Sequence, residues 1–294
     1  MIDVHHHVIP EHLQGLHHFP VWSIESDREA MQRLGISGAL LSIPASAGPQ
    51  EIQDMNNWLA HLIEFDPAAY GMLAAISGRD IHQALTEIER CTDHLKADGF
   101  IMLSNYDSIY IGDDYFDPVL DMLNNRAAVV LLHPTAPPAW SKNLLVADHS
   151  VYEFPFETTR AMMDLIYRGK LKRYPNIKWI ISHAGGTIPF LFYRLSICGE
   201  WNAISQSQEE IISDLQTLYY DLALSTSSAV SCALDKLTDP SRILFGTDFP
   251  LRYEAGVTNS IEQFKNNCNY SHRDILKIGR QNAKKLFPRF VSSL

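Results

Sequence analysis

His5, His7, His133, His183 and Asp248 have the types and spacing of a metal-centred catalytic site. His5 and His7 stand two apart in the opening run, and side chains two apart on a strand share a face. That alternation puts Ile2, Val4 and Val8 on one face and Asp3, His5 and His7 on the other. Two imidazoles side by side at a strand end can converge on one cation, so the HxH pair reads as metal-ligating. His6 points the other way, where a hydrogen-bonded imidazole is the ordinary expectation.

His133 ends the run AVVLLH, His183 ends KWIISH and Asp248 ends RILFGTD. Imidazole and carboxylate donors suit Zn2+ best and also Mn2+ or Fe2+. A site of three or four protein ligands leaves a position for water or substrate, which marks a catalytic centre. No cysteine ends a strand, which argues against a thiolate structural zinc site.

These residues are far apart in the chain, so the elements must bring them together. Short apolar runs at 2–7, 38–43, 70–76, 99–103, 127–133, 178–183, 218–224 and 242–248 read as strands. Helical patterns lie between them at 25–34, 50–65, 81–95, 117–125, 156–172, 189–198 and 227–237, with more helix at 256–266 and 272–287. Strand–helix alternation implies a parallel sheet, because each parallel crossover needs a helix-length connection. Eight such units predict an α/β fold, a (β/α)8 TIM barrel in one domain over residues 1–294. The alternative is an open doubly wound sheet, which a GxGxxG turn after the first strand would favour; here that strand runs into HHHVIPEH. In a barrel the C-terminal ends of the strands form the active-site rim, and the candidate ligands all fall there. Residues 9–26 and 135–155, rich in Pro, His and Trp, read as long insertions that build a site or a lid.

Composition narrows the partners. Hydrophobic residues make up 46% and charged residues 20%, which excludes a disordered chain. The net charge is −10 and no basic run is visible, against a nucleic-acid partner. One arginine in a pocket still allows a small anionic substrate. Cys91, Cys198, Cys232 and Cys268 are scattered without a CxxC pair. The start lacks a basic and then apolar leader, and no stretch reaches the ~20 apolar residues of a membrane span. The expectation is a soluble, cytoplasmic protein with free thiols.

The segments DVHHHVIP, LLHP, SHAGGTIPF and FGTDFP resemble the signature segments of the amidohydrolase-related superfamily, in the branch of aminocarboxymuconate semialdehyde decarboxylase. The longer stretches at 19–45, 99–138 and 153–186 are closer still to the 6-methylsalicylate decarboxylase group. The resemblance implies that His5, His7, His133 and Asp248 bind one divalent metal, most often zinc. It implies that His183 stands beside the metal and handles a proton. It also implies that Arg194 reaches the neighbouring subunit's site and holds a substrate carboxylate, hence a homodimer. One departure stands out. A second substrate-binding arginine of the semialdehyde decarboxylase falls here on Asp27, with Arg28 next to it. A monocarboxylate such as a hydroxybenzoate therefore fits better than a dicarboxylate, as do Phe19, Trp22, Trp140 and Phe154 in the long loops.

Other residues carry weaker signals. Arg160 can hold a substrate anion or pair with Glu157 at i−3. Trp22 and Trp140 either line the pocket or bury loop surface. His12 and His149 read as loop polar groups, Gly185-Gly186 as a tight turn after the sixth strand, and Asn282 as a local hydrogen-bonding group. The implied reaction is non-oxidative decarboxylation of a small aromatic or unsaturated acid, with Asp248 and His183 sharing the proton work. The same site can instead activate water against an ester, lactone or amide. A metal-dependent binding protein is the reading outside enzymes.

Overall fold

The computed structural model describes residues 1–16, 19–138, 147–200, 204–266 and 269–291. Every expected strand forms: β1 (Ile2–His7), β2 (Gly38–Ser42), β3 (Tyr70–Ala75), β4 (Gly99–Leu103), β5 (Val129–His133), β6 (Lys178–Ile181), β7 (Tyr219–Asp221) and β8 (Ile243–Leu244). They lie side by side in sequence order, each parallel to the next. The residues after β8 close the circle onto β1. Val4 N donates to Phe245 O at 3.0 Å and His7 N to Phe249 O at 2.7 Å. The result is a (β/α)8 barrel.

Helices α1 (Ile24–Leu34), α2 (Pro49–Ile63), α3 (Ile81–Asp93), α4 (Asp117–Asn125), α5 (Glu153–Tyr167), α6 (Ile188–Ser196), α7 (Gln208–Thr217), α8 (Ser228–Leu237) and α9 (Glu254–Asn266) connect and flank the strands. Local chemistry sets their ends. Ser23 caps α1 through the Ser26 amide, and Gly35 ends it at φ +68°, a backbone region that disfavours a Cβ. The helix α7 lies outside the sequence expectation, although Ser207 and Glu210 form a reciprocal capping box at its start. The run expected at 156–172 breaks after Tyr167, where Gly169 takes φ +70°.

The strands are buried on both faces, which is why they read as unbroken apolar runs. One apolar cluster draws on strand residues from around the barrel: Ile2 and Val4, Leu40, Leu73, Ile101, Leu131, Ile180 and Leu244. A separate cluster holds alternate residues such as Leu41, Met72, Met102, Leu132 and Ile181 with the helices. Phe287 and Phe290 join the inner cluster from the C-terminal segment. A Cβ at Gly38 would lie 2.8 Å from the Phe290 ring, so glycine is required where that ring seals the start of β2. Arg289 Nε binds Asp98 Oδ2 at 2.8 Å and ties the same segment down.

The expected face pattern of β1 needs correction. Ile2 and Val4 pack in the inner cluster, and Asp3 does not point with His5 and His7. Its pairing with β2 slips by one residue between Asp3 and His6, a bulge. The extra residue lets Val4 and then His5 both turn inward, while Asp3 turns to His6.

The strands from the sixth on are shorter than expected. β6 stops at Ile181, β7 at Asp221 and β8 at Leu244. Just beyond them His183, Leu224 and Asp248 take φ of 55°, 54° and 64°, which no strand residue can hold. No helix among the described residues is long and apolar enough to cross a membrane.

Candidate metal centre

The barrel places four of the expected residues around one point. One donor atom from each of His5, His7, His133 and Asp248 lies within 4.8 Å of the others. His5 Nε2 and His7 Nε2 are 3.1 Å apart. Asp248 Oδ1 is 3.1 Å from His7 Nε2 and 3.5 Å from His5 Nε2. His5, His7 and His133 are buried, and Asp248 opens slightly to the mouth.

The outer nitrogens show why the inner ones converge. His5 Nδ1 lies 2.9 Å from Asp221 Oδ2. His133 Nδ1 donates to Pro134 O at 2.7 Å, since a carbonyl oxygen only accepts. Ser42 Oγ donates to His6 O, which leaves its oxygen to accept from His7 Nδ1 at 3.0 Å. With its Nδ1 proton on the outer partner, each ring can turn an Nε2 lone pair inward when a cation is bound. Three lone pairs and a carboxylate at this separation repel unless a cation stands among them. The donor set therefore fits a divalent metal ion, held by His5, His7, His133 and Asp248.

The charges of the bare side chains carry the same signal. Burial opposes a charge on His5, but Asp221 beside it prevails and pushes its pKa up to about 9. Burial and the neighbouring imidazoles hold His133 well below its ordinary value, and burial lowers His7. Burial resists ionisation of Asp248, yet the bond to His7 and the charge of His5 keep its carboxyl below the usual range. Without a metal the centre thus holds one imidazolium, His5, between the carboxylates of Asp221 and Asp248.

His183 stands beside this set without joining it. Its ring centroid is 5.0 Å from that of His5 and 6.2 Å from that of His133. Its Nδ1 is buried with no hydrogen-bond partner. Burial and the His5 ring push its pKa down to about 4, so the ring is neutral at neutral pH. An imidazole so placed can take a proton from a bound molecule or return one.

The other expected residues do not join the donor set. Arg160 Nη1 binds Glu157 Oε1 at 2.6 Å and reaches Glu153 at 3.5 Å, the internal pairing rather than an open anion site. Trp22 is buried, donates Nε1–H to Asp27 Oδ1 at 2.9 Å, and packs edge-on against Trp58. Arg194 stands exposed on α6, near exposed Phe190 and Tyr193. Phe154 lies with its ring centroid 6.1 Å from that of His133. Asn282 Nδ2 donates to Pro240 O and Ile243 O, 42 and 39 positions away, so it ties the C-terminal helix to β8 rather than bonding locally as expected. Trp140 and the side chain of His149 lie outside the described residues.

Two features escape the sequence reading. Asp221, inside the run LYYDLAL, is the partner of His5. His6 lies between two carboxylates, with Nδ1 2.9 Å from Asp3 and Nε2 2.9 Å from Asp27. Asp27 also accepts from Tyr70 OH at 2.8 Å, and Asp3 from the Thr247 amide at 3.1 Å. Asp27 therefore anchors the loop before α1, and Asp3 braces the residue before Asp248. The signal for Asp221 was an acidic residue within an apolar strand run, which has to be paired if buried.

Comparison with known proteins identifies the family. The family model described as amidohydrolase matches residues 2–289. The 6-methylsalicylic acid decarboxylase of Penicillium expansum is 32% identical over 321 residues, covering 100% of this chain and 98% of that protein. Among solved structures, a 2,6-dihydroxybenzoate decarboxylase from Rhizobium superposes with a TM-score of 0.84 at 19% identity, covering 98% of both chains. A dihydroxybenzoic acid decarboxylase from a Polaromonas species, with bound manganese and 2-nitroresorcinol, superposes with a TM-score of 0.80 at 21% identity, over 98% of this chain and 96% of that one. The two structural likenesses speak to the fold; the family match spans nearly the whole sequence, and the chain belongs to the amidohydrolase family.

Proposed function

We propose that this protein is a divalent-metal-dependent carboxy-lyase that removes CO2 from a small hydroxybenzoate-type acid. The observation that carries the reading is the convergence of His5, His7, His133 and Asp248 beside an unligated His183, in a chain 32% identical along its length to a 6-methylsalicylic acid decarboxylase. A bound divalent ion supplies positive charge against which the oxygens of an acid can be gathered. Zinc and manganese both suit the donor set, and manganese is bound in the Polaromonas relative.

The chain's own residues then manage one proton. His183 is neutral, and Asp248 is ionised. Between them they accept the proton of the substrate's ring hydroxyl and hand it to the ring carbon that bears the carboxylate. The C–C bond breaks, its electron pair returns to the ring, and CO2 leaves. The phenolate product takes its proton from water, so each turnover consumes one proton from solvent. Phe154, beside His133, supplies an aromatic wall.

The test uses salicylates and dihydroxybenzoates in D2O with the metal-loaded protein. Expected are equimolar CO2 and one deuterium on the ring carbon that lost the carboxylate. Formation of a new acid from an ester, lactone or amide, without CO2, points to hydrolysis and overturns the reading.

The working form is a homodimer in which Arg194 serves the partner's site and holds the substrate carboxylate. Its exposure on α6 next to Phe190 and Tyr193 supports that. Arg194→Ala is expected to raise KM for the acid by ~10-fold or more, the worth of a hydrogen bond to a charged group, with kcat little changed. Steady-state kinetics check this, and an unchanged KM removes Arg194 from the site. Cys91, Cys198 and Cys232 form no disulfide among the described residues, which supports a reducing, cytoplasmic setting.

A further inference from the structure

We propose that Asp221 is a positioning residue that sets two histidines of the centre at once, the ring of His5 and the main chain of His183. The inference rests on the reading of His5 as a ligand and of His183 as the proton-handling group.

Asp221 ends β7 and is fully buried. Its Oδ2 accepts from His5 Nδ1 at 2.9 Å. Its Oδ1 accepts from the main-chain N–H of His183 at 3.1 Å and of Ala223 at 3.0 Å. Three donors from three parts of the chain thus meet on one carboxylate. At His5 this fixes the proton on Nδ1 and leaves Nε2 bare toward the other ligands. At His183 it holds the first residue of an unusual turn. His183, Ala184, Gly185 and Gly186 have φ of 55°, 57°, 80° and 65°, a run that turns the chain sharply off the barrel wall. Only the glycines adopt that region without strain. An acceptor for the His183 amide is what keeps this turn in one conformation. Asp221 therefore gives the ligand and its neighbour a common reference, with their rings 5.0 Å apart.

An amide cannot replace this carboxylate, although it has the same shape. An asparagine has one accepting and one donating end. If its NH2 faces His5, the imidazole proton moves to Nε2 and blocks the ligand lone pair. If its NH2 faces the main chain, donors meet donors at His183 and Ala223. Serine is too short to reach either side.

The test compares Asp221→Asn and Asp221→Ser with the unsubstituted protein. Mn2+ affinity is read from free-ion electron paramagnetic resonance, and the His183 amide from hydrogen–deuterium exchange, with unfolding followed by circular dichroism. Asp221→Ser is expected to weaken the Mn2+ dissociation constant by ~10–100-fold and to speed exchange at His183, both well below its melting temperature. Asp221→Asn is expected to change at least one of the two strongly. The proposal is overturned if Asp221→Ser moves only one of the readouts, or if Asp221→Asn leaves both within about twofold. Should one variant fail to fold, the other decides. Neither readout needs turnover, so this outcome is separate from that of the decarboxylase reading, which CO2 release from the unsubstituted protein tests.

Discussion

His183→Ala is expected to lower kcat by ~10³-fold, within the range for loss of a general acid–base, while bound metal stays at the unsubstituted level. The two halves of this expectation have separate grounds. The metal stays because the four converging donors are His5, His7, His133 and Asp248, and His183 is not among them. The rate falls because no other neutral imidazole beside the centre has an unbonded buried nitrogen among the described residues. His183 sits at φ 55°, so part of any loss could come from the turn rather than the ring. His183→Asn separates the two, because asparagine tolerates this region better than alanine. If both variants lose rate alike, the imidazole is what matters. Loss of metal from either variant, measured by elemental analysis, makes His183 a ligand. A kcat within tenfold of the unsubstituted value removes it from the proton path.

Removal of the metal is expected to abolish CO2 release and to lower Tm by roughly 5–10 °C. The thermal shift follows from linkage: an ion at a hundred times its Kd stabilises the folded state by about 2.7 kcal/mol, and about 2–4 °C accompanies each kcal/mol in a chain of this size class. Its physical source is the closeness of the donors, with two imidazole nitrogens 3.1 Å apart and a carboxylate oxygen 3.1 Å from one of them. Chelation followed by calorimetry and assay checks both effects, and adding back Mn2+ or Zn2+ should restore them together. A chelated protein that keeps its turnover sinks the metal-centred account. One that loses Tm but shows no turnover in either state is a metal-stabilised binding protein.

The centre was legible because barrel strands are apolar throughout, so a histidine or aspartate at the end of such a run stands out. His133 and Asp248 are cases of this, and HxH in β1 is another. Family resemblance then separated His183 from the ligands, which spacing alone does not do. The bulge in β1 was not legible, because the letters of Ile2–Val8 alternate without a break and only the pairing with β2 reveals the slipped register. Asp221 was hidden for a related reason. Within LYYDLAL it reads as one polar position of a strand, and its role depends on His5, 216 positions away. Asp27 was singled out where an arginine was expected, yet its three donors, His6, Trp22 and Tyr70, come from separate segments. The capping box of α7 was legible but unread. The C-terminal run expected as helix at 272–287 is helical from His272 to Leu286, with a π-helical turn at Lys277–Gln281 between two α-helical pieces. Gly279, the weakest helix former of the run, lies in that turn.

The circle of strands is joined between its first and last members, and Phe290 and Arg289 tie residues near the end of the chain to Gly38 and Asp98. During synthesis β1 therefore waits with one flank unpaired until the residues after β8 have left the ribosome. Such a waiting edge recruits other chains, which makes nascent forms and products of premature termination dependent on chaperones and prone to aggregate. The donor set is complete only once the residues after β8 are in place, because Asp248 lies among them.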